Sequence, residues 1–202
     1  DSFISNSYKG NYDIIVTKLS AAGDKMLAGT YIGGSSQDGF QINSGGQKSQ
    51  LLYNYADNYR GDITTDHDGN IFVSTCSHSN DFPITTGAFQ TSIKGRTDAL
   101  VFSLTPLMSK MRWASFFGGS GDDAGYSCRF DDSAHLFIGG GTKSSDFPLT
   151  ANAAAQKTFG GVTDGFILKI DKDNGKYETG TYWGSNAYDQ IYFLDIDPKG
   201  KV

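Results

Sequence analysis

Between Asp98 and Leu104 the chain alternates so that Leu100, Phe102 and Leu104 share one side of an extended segment while Val101 and Ser103 share the other. Residues two apart lie on the same face of a strand, and apolar side chains on both faces predict a sheet packed on both sides. Residues 113–117, 125–131 and 135–140 also have strand character, and the gap after Asp131 is of hairpin length. The corresponding upstream gap, His67-Asp68-Gly69, carries the Asp-Gly pair that tight hairpins select. Residues 105–110 and 171–176 join their neighbours through Pro or Asn-Gly turn chemistry. Only 152–159 (NAAAQKTF) has helix propensity, enough for two turns within a loop. The predicted class is all-β.

The pattern recurs. Asp13 to Gly33, Asp98 to Gly118 and Asp164 to Gly184 each span 20 residues, and Asp81-Phe82-Pro83 precedes Asp146-Phe147-Pro148 by 65. Self-similarity at a fixed period marks a repeat architecture. Four antiparallel strands per repeat predict a β-propeller with one blade per repeat. A solenoid is the alternative, for which a 65-residue unit is long. The expected layout is a partial blade over 12–32, an insertion over 40–59, blades over 60–117 and 125–183, and the start of a further blade over 189–202. That makes two full blades and two partial ones, a propeller fragment whose ring is completed by other sequence or another chain.

The tracts GGSGDDAGYSCRFDDSAHLFIGGGTKSSDFP, TTGAFQTSIKGRTDALVFSL and ITTDHDGNIFVSTCSHSNDFP resemble the SBBP family, the bacterial seven-bladed β-propeller repeat. The resemblance covers nearly the whole chain apart from 40–59. Two departures stand out: Asp132-Ser133-Ala134 replaces an Asp-Gly-Asn turn, and Gly184-Ser185 lacks the second Gly. The resemblance implies a secreted or surface-exposed bacterial protein, in some cases exported by the type IX pathway, with no conserved catalytic residues.

Composition narrows the function. The chain has 202 residues, 26 of them Gly, and a net charge of -5. Acidic balance disfavours nucleic acid, which needs clustered Lys and Arg, and no apolar run approaches the length of a membrane span. Beginning at Asp1 without a signal peptide, the chain reads as a mature piece or a fragment. Cys76 and Cys128 form no disulfide framework, and free thiols are expected.

Candidate chemistry is sparse. Gly139-Gly140-Gly141-Thr142-Lys143-Ser144 has Thr where a phosphate loop needs Gly, so a strand end entering a turn is expected. Gly118-Gly119-Ser120-Gly121-Asp122 is not a nucleophile elbow. His67, His78 and His135 lack zinc-site spacing. No catalytic or metal-binding residue and no cofactor is expected, with calcium at the acidic turns 66–70 and 171–175 as the alternative, although tight turns select Asp and Asn for backbone reasons. Asp13, Asp98 and Asp164, one per repeat, suggest a structural hydrogen bond.

The first repeat carries 20 extra residues between Gly33 and Asp66. Long loops of repeat proteins commonly carry function, and Tyr suits recognition surfaces; packing of this loop on its own blade is the competing reading. Loops after each second strand share one face with the blade connections, and short hairpins occupy the other. The expected binding residues on the long-loop face are Tyr53, Tyr55, Tyr59 and Arg60, with His78 and Lys143 as neighbours, while Phe82, Phe89, Phe147 and Phe159 pin the loops. The functional expectation is a non-enzymatic binding or scaffold domain, extracellular or on the bacterial cell surface, meeting the rest of the propeller, another protein chain or a glycan. An enzyme or glycan-processing domain on the same scaffold is the alternative.

Overall fold

The computed structural model describes residues 7–42, 46, 51–52, 57–131, 134–150, 155–197 and 199–202. Among these residues, ten strands form three antiparallel sheets. The first sheet pairs β1 (Ile14–Leu19) with β2 (Met26–Ile32). The second has the order β3-β4-β5-β6, with β3 Asp62–Thr65, β4 Ile71–Ser77, β5 Asp98–Leu104 and β6 Met111–Phe117. In the third, β7 (Asp123–Phe130), β8 (His135–Thr142), β9 (Asp164–Asp171) and β10 (Tyr177–Trp183) pair in the same sequential order. The two four-stranded units expected over 60–117 and 125–183 are therefore present. A 3-10 turn over Asp57–Tyr59 is the one helical element among the described residues.

Turn chemistry produces this up-and-down order. The β3–β4 hairpin closes with the Asp66 N–H donating to Asn70 O, and Gly69 takes a φ of 79° that a side chain would oppose. Asp131 N–H to His135 O and Asp197 N–H to Lys201 O repeat the closure one and two units on.

The sheets stack face to face in chain order. Leu100, Phe102 and Leu104 point to the first sheet, joining Val16, Ala28 and Ile32 in one core; Ala99 and Val101 point the other way, joining Cys128, Ile138, Phe166 and Leu168. Every residue of β4 and β5 is buried, as the two-sided alternation predicts. Each fully buried Leu or Phe contributes about 2 kcal/mol, so the middle sheet is the thermodynamic centre. The outer sheets are less covered: Ile15, Leu19 and Leu27 are exposed on the first, Trp183 on the third.

The tract from Gly139 to Ser144 is a strand end entering a turn, as the sequence reading expects: the three glycines lie in β8, which ends at Thr142 before the turn at 145–146, and Ile191 packs where a Gly139 side chain would go and Gln190 where a Gly141 side chain would go. Two details differ from the sequence reading. No helix forms over the described part of 152–159, where Gln156 instead bridges to Tyr182 and Phe159 packs on the same ring; 152–154 fall outside the described residues. The segment 189–197 crosses the third sheet as extended chain, its Ile191 N–H donating to Gly140 O, but it has no ladder partner among the described residues and is not a strand. Of the four expected loop anchors, Phe82 and Phe147 are buried, while Phe89 bridges the sheets, 5.5 Å from Phe117 and 4.6 Å from Tyr177.

Cys76 and Cys128 are free and fully buried, Cys76 beside Leu51, Ala124 and Tyr126, and Cys128 in the core between the second and third sheets. Burial pushes both thiols well above their ordinary range, and the thiolate is the reactive form. Ellman's reagent should therefore titrate neither thiol in the native protein at pH 8 and both in denaturant. Reaction of either at the rate of a free cysteine in the folded state would show that the core opens.

Candidate recognition site

The repeated motifs meet at the junctions between sheets. Just after β2, the Gly34 N–H donates to Asp38 Oδ2 at 2.8 Å; just after β6, the Gly119 N–H donates to Asp123 Oδ2 at 2.9 Å. The next sheet supplies the other donors. Ser77 and Ser79 hydroxyls donate to Asp38 at 2.5 and 2.8 Å. Thr142 donates to Asp123 Oδ1, and Ser144 to its Oδ2 at 2.7 Å. Two residues on, Asp81 and Asp146 reach back to accept from the backbone of Ser35 and Ser120, both at 2.8 Å. The Gly-Gly-Ser and Asp-Phe-Pro elements are thus two halves of one latch, made twice.

A second aspartate supports each latch. Asp98 accepts from the Lys94 and Gly95 N–H groups at 3.1 Å each, as Asp13 does from Lys9 and Gly10 at 2.8 and 3.2 Å; Asp164 accepts from Gly160 N–H at 2.8 Å. This is the recurring structural hydrogen bond the spacing suggested. Gly118 lies between both carboxylates: a Cβ there would stand 2.4 Å from Asp98 Cγ and 2.8 Å from Asp123 Oδ2. Burial raises Asp98 to about 6 and Asp123 to about 7, outweighing the donors that favour their anions.

The expected binding residues divide. Tyr53 and Tyr55 lie outside the described residues. Tyr59 is 68 % exposed and stacks on Phe40 with centroids 4.8 Å apart; Phe40 in turn sits 4.7 Å from the half-exposed Tyr12. This aromatic run borders a groove of about 350 Å³ between β1 and the β3–β4 pair. Arg60 does not join it as a free group. Its guanidinium binds Asp57 at 2.8 Å and lies 3.9 Å over the Tyr192 ring, so it fastens the insertion to the segment after the third sheet. His78 sits in the first latch, its Nδ1 3.0 Å from Arg96 O, with burial lowering its pKa. Lys143 occupies the matching place one junction further on, its N–H donating to Asp122 O as His78 N–H does to Gln37 O.

The insertion itself does not simply pack on its own repeat. Leu51 is buried against Cys76, Ala124 and Tyr126, and its carbonyl accepts from Tyr188 Oη at 2.7 Å and Gln190 Nε2 at 3.1 Å. Gln41 donates through Nε2 to Asp57 O at 2.9 Å and Tyr126 Oη at 3.3 Å. The described part of 40–59 therefore clamps all three repeats.

The acidic turns hold their own backbone. Asp66 accepts from Asn70 N–H and Nδ2 at 2.8 and 2.9 Å, and Asp171 from Asp173 N–H at 2.8 Å and Asn174 Nδ2 at 3.0 Å. Among the described residues no group of three His, Cys, Asp or Glu side chains is placed to hold a metal, and no helix is long and apolar enough to cross a membrane.

Fold and junctions together define the class: an all-β protein of sequentially ordered antiparallel sheets, stacked face to face and latched by buried aspartates. No known protein-family model matches the chain, and no curated protein matches its sequence.

Proposed function

We propose that the chain is a non-enzymatic recognition module, part of a β-propeller of the SBBP kind in a secreted or surface-exposed bacterial protein, which contacts a protein or glycan through its long-loop face. The propeller reading is supported by the sequential strand order of both four-stranded sheets and by their face-to-face stacking. The single observation that carries recognition is Tyr59, an exposed ring braced by Phe40 at the mouth of a groove. A side chain held rigid in solvent contributes contact area at little entropic cost. The groove carboxylates favour binding over catalysis, because each is committed: Asp13 to Lys9 and Gly10, Asp38 to its latch, and Asp62 to Cys128 N–H and Arg129.

Tyr59→Ala is expected to weaken ligand capture about tenfold or more while changing thermal stability little. A glycan array and a pull-down from an extracellular fraction, each run with wild type and variant, separate the two ligand classes. Equal capture by both proteins in both formats would remove Tyr59 from the site.

A further inference from the structure

The turn that joins β9 to β10 carries the chain's one Asn-Gly pair, Asn174-Gly175; the corresponding turns 20–25 and 105–110 read SAAGDK and TPLMSK. In such a pair no side chain shields the glycine nitrogen from the asparagine carboxamide carbon, so an unconstrained chain cyclises there more readily than before a bulkier residue. Folding ties every group this reaction needs. The Gly175 N–H donates to Asp171 O at 2.9 Å, Asn174 Nδ2 donates to Asp171 Oδ2 at 3.0 Å, and Asn174 Oδ1 accepts from the Lys176 N–H at 2.8 Å. Gly175 has a φ of 74° and is buried flat on the Trp113 indole, where a Cβ would stand 2.6 Å from Cδ2.

The same turn fastens the third sheet to the second. Trp113 Nε1–H donates to Lys172 O at 2.8 Å, Arg112 reaches Asp173 Oδ1 at 3.3 Å, and the Lys172 ammonium lies 3.7 Å from Asp66. Lys172 N–H also donates to Ala134 O at 2.8 Å, so one turn holds three hairpins together. Freeing the Gly175 nitrogen requires lifting the turn off Trp113. Cyclisation and the clasp therefore compete for the same backbone.

We propose that Asn174 is a self-modification site gated by this clasp: it deamidates when the turn lifts from Trp113, and the product then keeps the clasp loosened. The step needs only water. The Gly175 nitrogen attacks Asn174 Cγ and gives up its proton, the side-chain nitrogen leaves as ammonia, and a five-membered succinimide forms. Water then adds to one ring carbonyl and its C–N bond breaks, leaving aspartate or isoaspartate; nothing is oxidised or reduced. Either product sets a carboxylate beside Asp171, where Nδ2 had donated, and close like charges oppose closure of the turn. Isoaspartate also adds a methylene to the backbone that packs on the indole. Refolding does not reverse the change, so an opening of the clasp is recorded in the covalent structure. The inference does not rest on the recognition proposed at Tyr59, and their tests fail separately.

The test holds the full chain at mildly alkaline pH, native or in guanidinium, and follows the peptide containing Asn174 by mass spectrometry for conversion of amide to acid. Deamidation is expected to run about tenfold or more slower in the native protein. Trp113→Phe keeps a ring against Gly175 but deletes the bond to Lys172, and Arg112→Ala removes the tie to Asp173. Each should raise the native rate several-fold and leave the unfolded rate unchanged. Asn174→Asp supplies the charged product in homogeneous form. Its emission should shift to the red as the buried Trp113 meets water, since Trp183 is exposed already. Equal rates in native and unfolded protein, or a native rate that neither variant changes, overturn gating by the clasp. Wild-type emission from Asn174→Asp overturns the loosening.

Discussion

Asp123→Ala is expected to lower the unfolding free energy by about 3 kcal/mol or more, one of the largest single-residue effects outside the apolar core. The carboxyl is fully buried and accepts from the Gly119 amide and the Thr142 and Ser144 hydroxyls. Those hydroxyl oxygens already accept from the Ser144 and Gly121 amides, so rotation offers their protons no new partner within the latch. Truncation leaves three buried donors unmade at about 1 kcal/mol or more each. Asp189→Ala supplies the control, because its exposed carboxylate accepts only from the Ser185 amide and hydroxyl and the change should stay within roughly 0.5 kcal/mol. Urea unfolding of both variants, with unchanged slope, makes the comparison. Equal midpoints would mean that the latch contributes nothing.

Stability is also expected to fall as pH rises from about 5 to about 8, by roughly 1 kcal/mol from Asp98 alone, with Asp123 acting in the same direction. The sign follows from burial. The folded-state values of about 6 and about 7 lie above the ordinary carboxyl value of 3.8. Between the unfolded and folded values the native state binds more protons, so raising pH favours unfolding; the contribution is complete below the unfolded value and lost through the folded ones. Asp81 and Asp146 act oppositely, since the Ser35 and Ser120 amides hold them below the usual range. Their stabilisation is lost in acid below the unfolded carboxyl value, which places the optimum at about pH 4. Urea midpoints across this range test the slope, and Asp98→Asn with Asp123→Asn should flatten it. A midpoint that climbs toward pH 8 would show that the donors, not burial, dominate these carboxyls.

Local pattern was enough to specify the strands. The alternation of β5, the Asp-Gly turn before β4 and the spacing of Asp13, Asp98 and Asp164 act over a few residues, so the two four-stranded units and the structural role of those aspartates were legible in advance. The two-sided burial of the middle sheet was legible for the same reason: period two assigns each side chain a face before any partner is known. Tertiary structure alone decided which groups meet. Ser77 reaches Asp38 across 39 residues, and Tyr188 reaches the Leu51 carbonyl across 137. A serine in a loop can bond its own turn or a distant carboxylate with equal chemistry, and only the stacking of one sheet on the next selects between them. Arg60 illustrates the limit. Its sequence neighbourhood of tyrosines reads as a binding surface, yet Asp57 and the distant Tyr192 ring take up its charge and its flat face. Exposure depends on what the rest of the chain covers, so Tyr59 stays open while Arg60 is held by Asp57 and the Tyr192 ring.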